Sequence, residues 1–196
     1  MRIFERYWLG RWKFCNLIYR NRQVFYPPGD AMKRQTARMT IQISPGTARD
    51  VPTILALIRG LAEYERLAHT MKATPARLRQ HGFRRCPYFQ TLICRRGGKP
   101  IGIAIYFFMY STFAARPVLY IEDLYIRPEE RGKGSGKALL AELARVALRR
   151  GCGGMEWIVL DWNKPAIRFY KRIGAKLQKE WVLTRLTGAP MRRLAR

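Results

Sequence analysis

Histidine, paired cysteine and long apolar runs are what this sequence lacks. It has two histidines (His69 and His81) and four cysteines (Cys15, Cys86, Cys94 and Cys152) that form no Cys-x-x-Cys pair. Neither a structural zinc site nor a disulfide framework is expected from such a set, and the thiols read as reduced and mostly buried. No metal is therefore expected. No apolar run approaches the roughly 18 to 20 residues a membrane span needs, and the N-terminus is too densely charged for a secretory signal peptide. A chain without a membrane span, located in the cytoplasm, is the expectation. Internal repeats and low-complexity blocks are also lacking.

Acidic side chains are scarce as well. Thirteen aspartates and glutamates stand against 38 lysines and arginines, a formal net charge of +25. Such a field attracts any polyanion through counterion release. The basic excess is spread over every segment, however, so it specifies a sign and not a ligand. Nucleic acid enters as a partner only through non-specific charge. With 196 residues, 48% of them hydrophobic, the chain can bury one ordinary core and is short for two.

Residues 1–38 differ from the rest, with nine basic residues, two acids and eight aromatics, and a Pro27-Pro28-Gly29-Asp30 breaker near the end. Arginines and aromatics alternate there without helical or strand periodicity, so the segment reads as a tail outside the fold. Three readings stay open: a membrane-surface or RNA-contacting arm, a disordered extension, or upstream sequence preceding a start at Met39. The folded domain is expected to span 39–196.

From Met39 the pattern is orderly. Thr40 to Ile43 reads as a strand, and Asp50 can cap a helix with Ile54, Leu57, Ile58 and Leu61 on one face. Thr74-Pro75 is a cap and first-turn proline for a second helix through Leu78, ending near Gly82. A strand from Phe89 to Arg95, a Gly97-Gly98-Lys99 turn and an apolar strand from Ile101 to Met109 form a hairpin. A strand from Val118 to Ile126 precedes Arg131-Gly132-Lys133-Gly134-Ser135-Gly136, after which Leu139, Leu140, Leu143, Val146 and Ala147 mark a helix that stops at Gly151. A strand through Trp157 and Val159, a helix from Asn163 to Arg172 and a last strand from Glu180 to Leu186 complete the reading. The order describes an α/β chain with one mixed sheet and helices on both faces.

A strand, a glycine-rich loop and a helix start form a phosphate-binding arrangement. Glycines let successive backbone N–H groups turn inward, and the helix N-terminus adds partial positive charge. The loop is not a Walker loop, whose lysine sits elsewhere. Nor is it the Gly-x-Gly-x-x-Gly dinucleotide fingerprint with an acid about 20 residues on. Taken alone, it could also be a plain strand-to-helix turn.

Three blocks in order give the loop a context: Tyr120-Ile121-Glu122-Asp123-Leu124-Tyr125-Ile126-Arg127-Pro128, the glycine loop, and Leu160-Asp161-Trp162-Asn163-Lys164-Pro165-Ala166-Ile167-Arg168-Phe169-Tyr170. Together they resemble the GNAT superfamily of acyl-CoA-dependent N-acetyltransferases, in particular its diamine (spermidine/spermine) and thialysine branch. The likeness extends from about Met39 to Gly188. It implies a mixed sheet splayed between its fourth and fifth strands, acetyl-CoA as acyl donor, and a homodimer. By resemblance, Leu124, Tyr125 and Ile126 would hold pantetheine. The loop from Arg131 through Gly132, Lys133, Gly134, Ser135 and Gly136 to Lys137 would hold the pyrophosphate. Asn163, Lys164, Pro165 and Ala166 would line the other side of the pantetheine arm, although Asn163 also reads as a helix N-cap with Pro165 in the first turn.

Transfer from a thioester to an amine needs a neutral amine, a stabilised carbonyl oxygen and a protonated leaving thiolate. The resemblance makes Tyr170 the general acid. Glu122 is the candidate proton acceptor, directly or through water, and the Leu124 N–H the candidate oxyanion donor. At the acceptor end, Glu122, Asp123 and Glu156, with Trp157 beside it, fall on strands flanking the cofactor, while Glu65 and Glu180 match acceptor-binding acids of the branch. Tyr64 would help shape this pocket. Salt bridges to the abundant arginines are the competing reading of these acids.

Two departures from the branch bear on the acceptor. Lys164 stands where an acid is common, and the basic surface repels a long polycation, although salt screens charges beyond about 8 Å. A small mono- or dibasic acceptor such as a lysine analogue is therefore favoured. A protein N-terminal or lysine acetyltransferase is one alternative. A basic RNA- or ribosome-binding module on a degenerate acetyltransferase scaffold is another, against which intact Glu122, Asn163 and Tyr170 argue.

Overall fold

Five strands in sequence order make one sheet, β1-β2-β3-β4-β5. The computed structural model describes residues 40–196. The basic aromatic segment 1–38 lies outside them. Two compact units share the described residues, one ending at Trp157 and one comprising Ile158–Arg196.

The first unit holds the sheet: β1 (Ile41–Pro45), β2 (Gln90–Arg96), β3 (Lys99–Ser111), β4 (Arg116–Ile126) and β5 (Gly154–Trp157). Pairing is antiparallel from β1 to β4 and parallel between β4 and β5. The β2–β3 turn uses Gly97 and Gly98 at φ of 56° and 80°. Helix α1 (Val51–Tyr64) and helix α2 (Pro75–Gly82) supply one covering layer. Val51, Ile54, Leu57 and Leu61 of α1 and Leu78 of α2 join Ile93, Ile103, Ile105 and Tyr125 in a single buried cluster. Helix α3 (Ser135–Arg149) packs Leu139, Leu140, Leu143 and Ala147 inward and touches all five strands. The helical periodicity of these apolar positions therefore sets the layering, as the sequence suggested.

Thr74 caps α2 as expected, its Oγ1 accepting from the Arg77 N–H at 3.2 Å. Asp50 does not cap α1 with its side chain. Its carboxylate accepts instead from the Thr47 N–H at 2.9 Å and from Arg95 Nη2 at 2.6 Å, closing a one-turn 3-10 helix over Ala48–Asp50 and tying it to β2.

Two irregularities shape the sheet. Cys94 pairs with Gly102 and Arg95 with Pro100, which leaves Ile101 as an extra residue in β3. Ile105 pairs with Asp123 and Tyr106 with Ile121, so Glu122 is an extra residue in β4. A bulge bends its strand and sharpens the local twist. The parallel ladder to β5 ends at Ile121↔Trp157, next to this bulge. From Glu122 to Ile126, β4 pairs with β3 alone among the described residues. The fifth strand ends at this point, which is the place expected for a splay between the fourth and fifth strands.

The second unit contains α4 (Lys164–Arg172) and a short helix α5 (Gly188–Leu194) that the sequence reading did not anticipate. Two expectations are corrected. The fifth strand stops at Trp157, so Val159 lies outside it, and Glu180–Leu186 forms no strand. Trp181 and Val182 are 77% and 81% exposed. Their strand propensity is unmet because β-propensity measures the fit to a partnered, half-buried surface, not a preference of the isolated backbone. No helix among the described residues is long and apolar enough to cross a membrane.

Candidate active site

The glycine loop departs from the end of β4 and enters α3. Gly132 and Gly134 hold φ of 74° and 84°, backbone that L side chains rarely adopt. Gly134 is the N-cap of α3, with its carbonyl accepting from the Ala138 N–H at 3.0 Å. A Cβ built on either glycine meets nothing within 4 Å, so the space in front of the loop is open. Backbone N–H groups at a 15-residue helix start, beside open space, suit a phosphate group.

The cations of the loop are not alike. Lys133 and Lys137 are exposed, and Lys133 Nζ lies 3.5 Å from Glu130 Oε1. Arg131 turns back: its Nε donates to the Ile126 carbonyl at 3.0 Å, and its guanidinium lies 4.0 Å from the centre of the Tyr64 ring and 5.8 Å from that of Tyr125. Tyr64, expected at the acceptor pocket, thus carries the arginine that opens the loop. Ser135 is 1% exposed, and Gly136 has Ile126 at its back.

On β4, the Arg127 N–H donates to the Ile101 carbonyl at 2.9 Å. Alternation along a strand then turns the Tyr125 amide toward β3 and the Leu124 and Ile126 amides to the opposite side, where the β5 ladder has already ended. The Tyr125 side chain enters the α1 cluster. A Cβ on Gly60 would lie 2.6 Å from its hydroxyl oxygen, so a glycine inside α1 admits this ring.

Two of the acidic candidates, Glu122 and Asp123, lie on this same strand, Glu65 follows α1 and Glu156 lies on β5. Burial, with the neighbouring charges of Glu122 and Glu65 adding to it, pushes the Asp123 carboxyl up to about 7. Burial also raises Glu65, at the C-terminal end of α1. Tyr120 is raised by burial and then by Glu122 and Glu156, and it stands opposite Glu156 in the β4–β5 register. The bulge places Glu122 in solvent and Asp123 on the α1 face opposite Ile105. Glu122 is thus felt by Asp123 together with Glu65, and by Tyr120 together with Glu156, and Trp157 follows Glu156 at the end of β5. None of the five ion pairs among the described residues involves any of these four acids. No group of three or more histidine, cysteine or acidic side chains among the described residues could hold a metal ion.

The second unit carries the remaining candidates. Asn163 is buried and caps α4, its Oδ1 accepting from the Ala166 N–H at 3.3 Å, with Lys164 and Pro165 exposed in the first turn. Tyr170 is buried in the last turns of the same helix, its ring 5.5 Å from that of Phe169. Glu180 is exposed in a turn.

The model of the acetyltransferase (GNAT) family matches residues 55–175, more than half of the chain. The chain belongs to the GNAT family. It is an N-acetyltransferase, and similar GNAT proteins narrow the branch. It is 39% identical over 157 residues to a thialysine N-epsilon-acetyltransferase of Mus musculus, covering 74% of this chain and 92% of that protein. It is 34% identical to an L-ornithine N5-acetyltransferase of Arabidopsis thaliana, covering 77% and 86%. Among solved structures, an integron cassette protein of V. cholerae superposes with a TM-score of 0.69 at 25% identity, covering 80% of this chain and 98% of that one.

Within this GNAT site, sequence reasoning missed Arg96 and Gly60. Arg96 lies 34 residues from its partner Glu130, and Gly60 shows its purpose only once Tyr125 is laid against it. The one signal available was an isolated glycine inside a strongly apolar helix, which commonly marks close packing.

Proposed function

We propose that this enzyme transfers the acetyl group of acetyl-CoA to the primary amine of a small cationic acceptor of the lysine or ornithine type. The carrying observation is the set of carboxylates at Glu65, Asp123, Glu122 and Glu156, grouped along the bulged strand of a protein whose formal charge is +25. A carboxylate cluster in so basic a body has one evident use, to draw an ammonium group to the place where β4 leaves β5. The names of the thialysine and ornithine acetyltransferases quoted above support the same class.

The donor is held by the glycine loop from Gly132 to Gly136, with Lys133 and Lys137 near its phosphates. The outward amide of Ile126 and the outward carbonyl of Leu124 pair with the pantetheine arm, which leaves the Leu124 N–H for the thioester oxygen, and Asn163 to Ala166 carry the family's second set of pantetheine contacts. Alkyl ammonium groups titrate near ~10, so a bound amine must lose a proton before it can attack. Glu122, in solvent at the bulge, accepts that proton directly or through water. Glu65, Asp123 and Glu156 hold the remaining positive charge of the acceptor. As the amine nitrogen bonds to the thioester carbon, the Leu124 N–H stabilises the carbonyl oxygen. The carbon–sulfur bond breaks and Tyr170 gives its hydroxyl proton to the departing thiolate, while the extra proton on the acylated nitrogen leaves through solvent, giving the neutral amide and restoring the tyrosine hydroxyl.

Both units serve this single acetyltransferase domain, a reading supported by the family match, which runs across the boundary at Trp157. A homodimer in the cytoplasm is part of the proposal.

A thiol-release assay with acetyl-CoA tests it, run over lysine analogues, ornithine, diamines, spermine and peptides. The expected order puts lysine- and ornithine-like amines first, with spermine behind. Preference for a peptide, or no turnover with any amine, would sink the proposal.

A further inference from the structure

Arg96 ends β2, far from the glycine loop in sequence, yet its guanidinium meets both ends of that loop. Its Nε donates to Glu130 Oε2 at 2.9 Å, and its Nη2 donates to Ser135 Oγ at 3.1 Å. Glu130 precedes the loop, at the end of a 3-10 turn over Pro128–Glu130. Ser135 is the first residue of α3 and is almost fully buried. One planar group, donating two hydrogen bonds in fixed relative directions, therefore spans the stretch that holds Gly132 and Gly134 beside open space.

Charge gives the arrangement a second aspect. Glu130 is a carboxylate beside a loop that suits phosphate. Partial desolvation pushes its acidity one way, but hydrogen bonds from Arg96 and the charges of Lys133 and Arg96 outweigh it, and the group is held ionised, below its ordinary range. An uncompensated anion there would oppose a pyrophosphate. Arg96 and Lys133 compensate it, Lys133 from an exposed and longer position at 3.5 Å.

We propose that Arg96 is a positioning residue for the acyl donor: it fastens the two ends of the glycine loop through Glu130 and Ser135, and it cancels the carboxylate charge that the pyrophosphate would otherwise meet. The inference rests on the reading that this loop holds the pyrophosphate of acetyl-CoA. Arg96 need not touch the donor. Its effect is carried by the loop's shape and by Glu130.

The test compares wild type, Arg96→Met, Arg96→Lys, Glu130→Gln and the double variant Arg96→Met with Glu130→Gln, all as the full chain. Coenzyme A binding is measured by calorimetry, and turnover is measured with acetyl-CoA and with acetyl-pantetheine, which has no pyrophosphate. Arg96→Met should raise the KM for acetyl-CoA and the Kd for coenzyme A about tenfold, with kcat within about twofold and acetyl-pantetheine turnover unchanged. Adding Glu130→Gln should recover only part of the lost affinity, the share owed to charge and not the share owed to the fastened loop, and Arg96→Lys should fall between wild type and Arg96→Met. If Arg96→Met does not fold, Glu130→Gln alone still decides: its amide oxygen can still accept from Arg96 Nε while the charge is gone, so it should bind coenzyme A at least as tightly as wild type. The inference is overturned if Arg96→Met binds coenzyme A within twofold of wild type, if acetyl-pantetheine turnover falls in step with acetyl-CoA turnover, or if Glu130→Gln weakens binding. A wild type that fails to bind coenzyme A overturns the donor reading itself, and this inference with it.

Discussion

The guanidinium of Arg131 rests 4.0 Å from the centre of the Tyr64 ring. This pair joins the last residue of α1, next to acidic Glu65, to the first residue of the glycine loop. A cation over an aromatic face near the surface contributes about 0.5–1 kcal/mol. Tyr64→Leu and Arg131→Met should therefore each lower the melting temperature by a few degrees. A double-mutant cycle should give a coupling in that range, whereas strict additivity in thermal melts would show the pair to be energetically idle.

Asp123 predicts an unusual pH dependence. Its folded pKa, about 7, lies above the ordinary 3.8, so the folded protein keeps a proton that the unfolded chain releases. The cost of burying its charge is absent below the ordinary value and complete above about 7, and stability falls as pH rises between the two. Asp123→Asn removes that cost. The variant should melt several degrees above wild type at pH 8 and close to it at pH 4. It should also lose at least tenfold in kcat/KM for a cationic acceptor, because it no longer offers a counter-charge. A variant no more stable than wild type at pH 8 would contradict the assigned cause.

Tyr170→Phe should leave the fold intact, since the ring is buried and only the hydroxyl is removed. General acid catalysis is worth about 10²–10⁴ in rate. The kcat for acetyl transfer should fall by at least a hundredfold across the pH range, with coenzyme A affinity held within a factor of about three. Unchanged turnover would remove the tyrosine from the chemistry.

Gly134→Ala probes the loop by backbone alone. At φ of 84° an alanine is strained by about 1–2 kcal/mol, although its methyl would meet no neighbour within 4 Å. The expected result is a melting temperature lower by a few degrees and a raised KM for acetyl-CoA, with acetyl-pantetheine nearly unaffected.

Much of this site was legible because it is local. The Leu139-Leu140-Leu143-Ala147 stripe, the Thr74 cap and the glycines around Lys133 act within a turn or two of themselves, so their spacing carries their meaning. What escaped the reading is long-range. Asp50 looked like a helix cap because a cap is judged from neighbours, but Arg95, 45 residues on, shares its carboxylate. Arg96 was one arginine among many until the fold brought it to Ser135, 39 residues away. Glu180–Leu186 had the composition of a strand, but composition cannot supply a partner strand. Glu122 and Asp123 were recognised as a pair of acids, but not as a solvent-facing and an inward-facing carboxyl, because a bulge is a property of two strands together.

That bulge separates what the architecture needs from what the proposed chemistry needs. Ile121 already sits opposite Tyr106, and Asp123 opposite Ile105, so excising Glu122 would leave an unbroken ladder with every apolar side chain still on its own face. The shortened protein should be at least as well knit as the parent, and inactive if Glu122 is the proton acceptor proposed above. Here a single surplus residue, tolerated at some expense of regularity, stands at the point where the parallel ladder stops and the outer side of the strand is left to a ligand in the proposed mechanism.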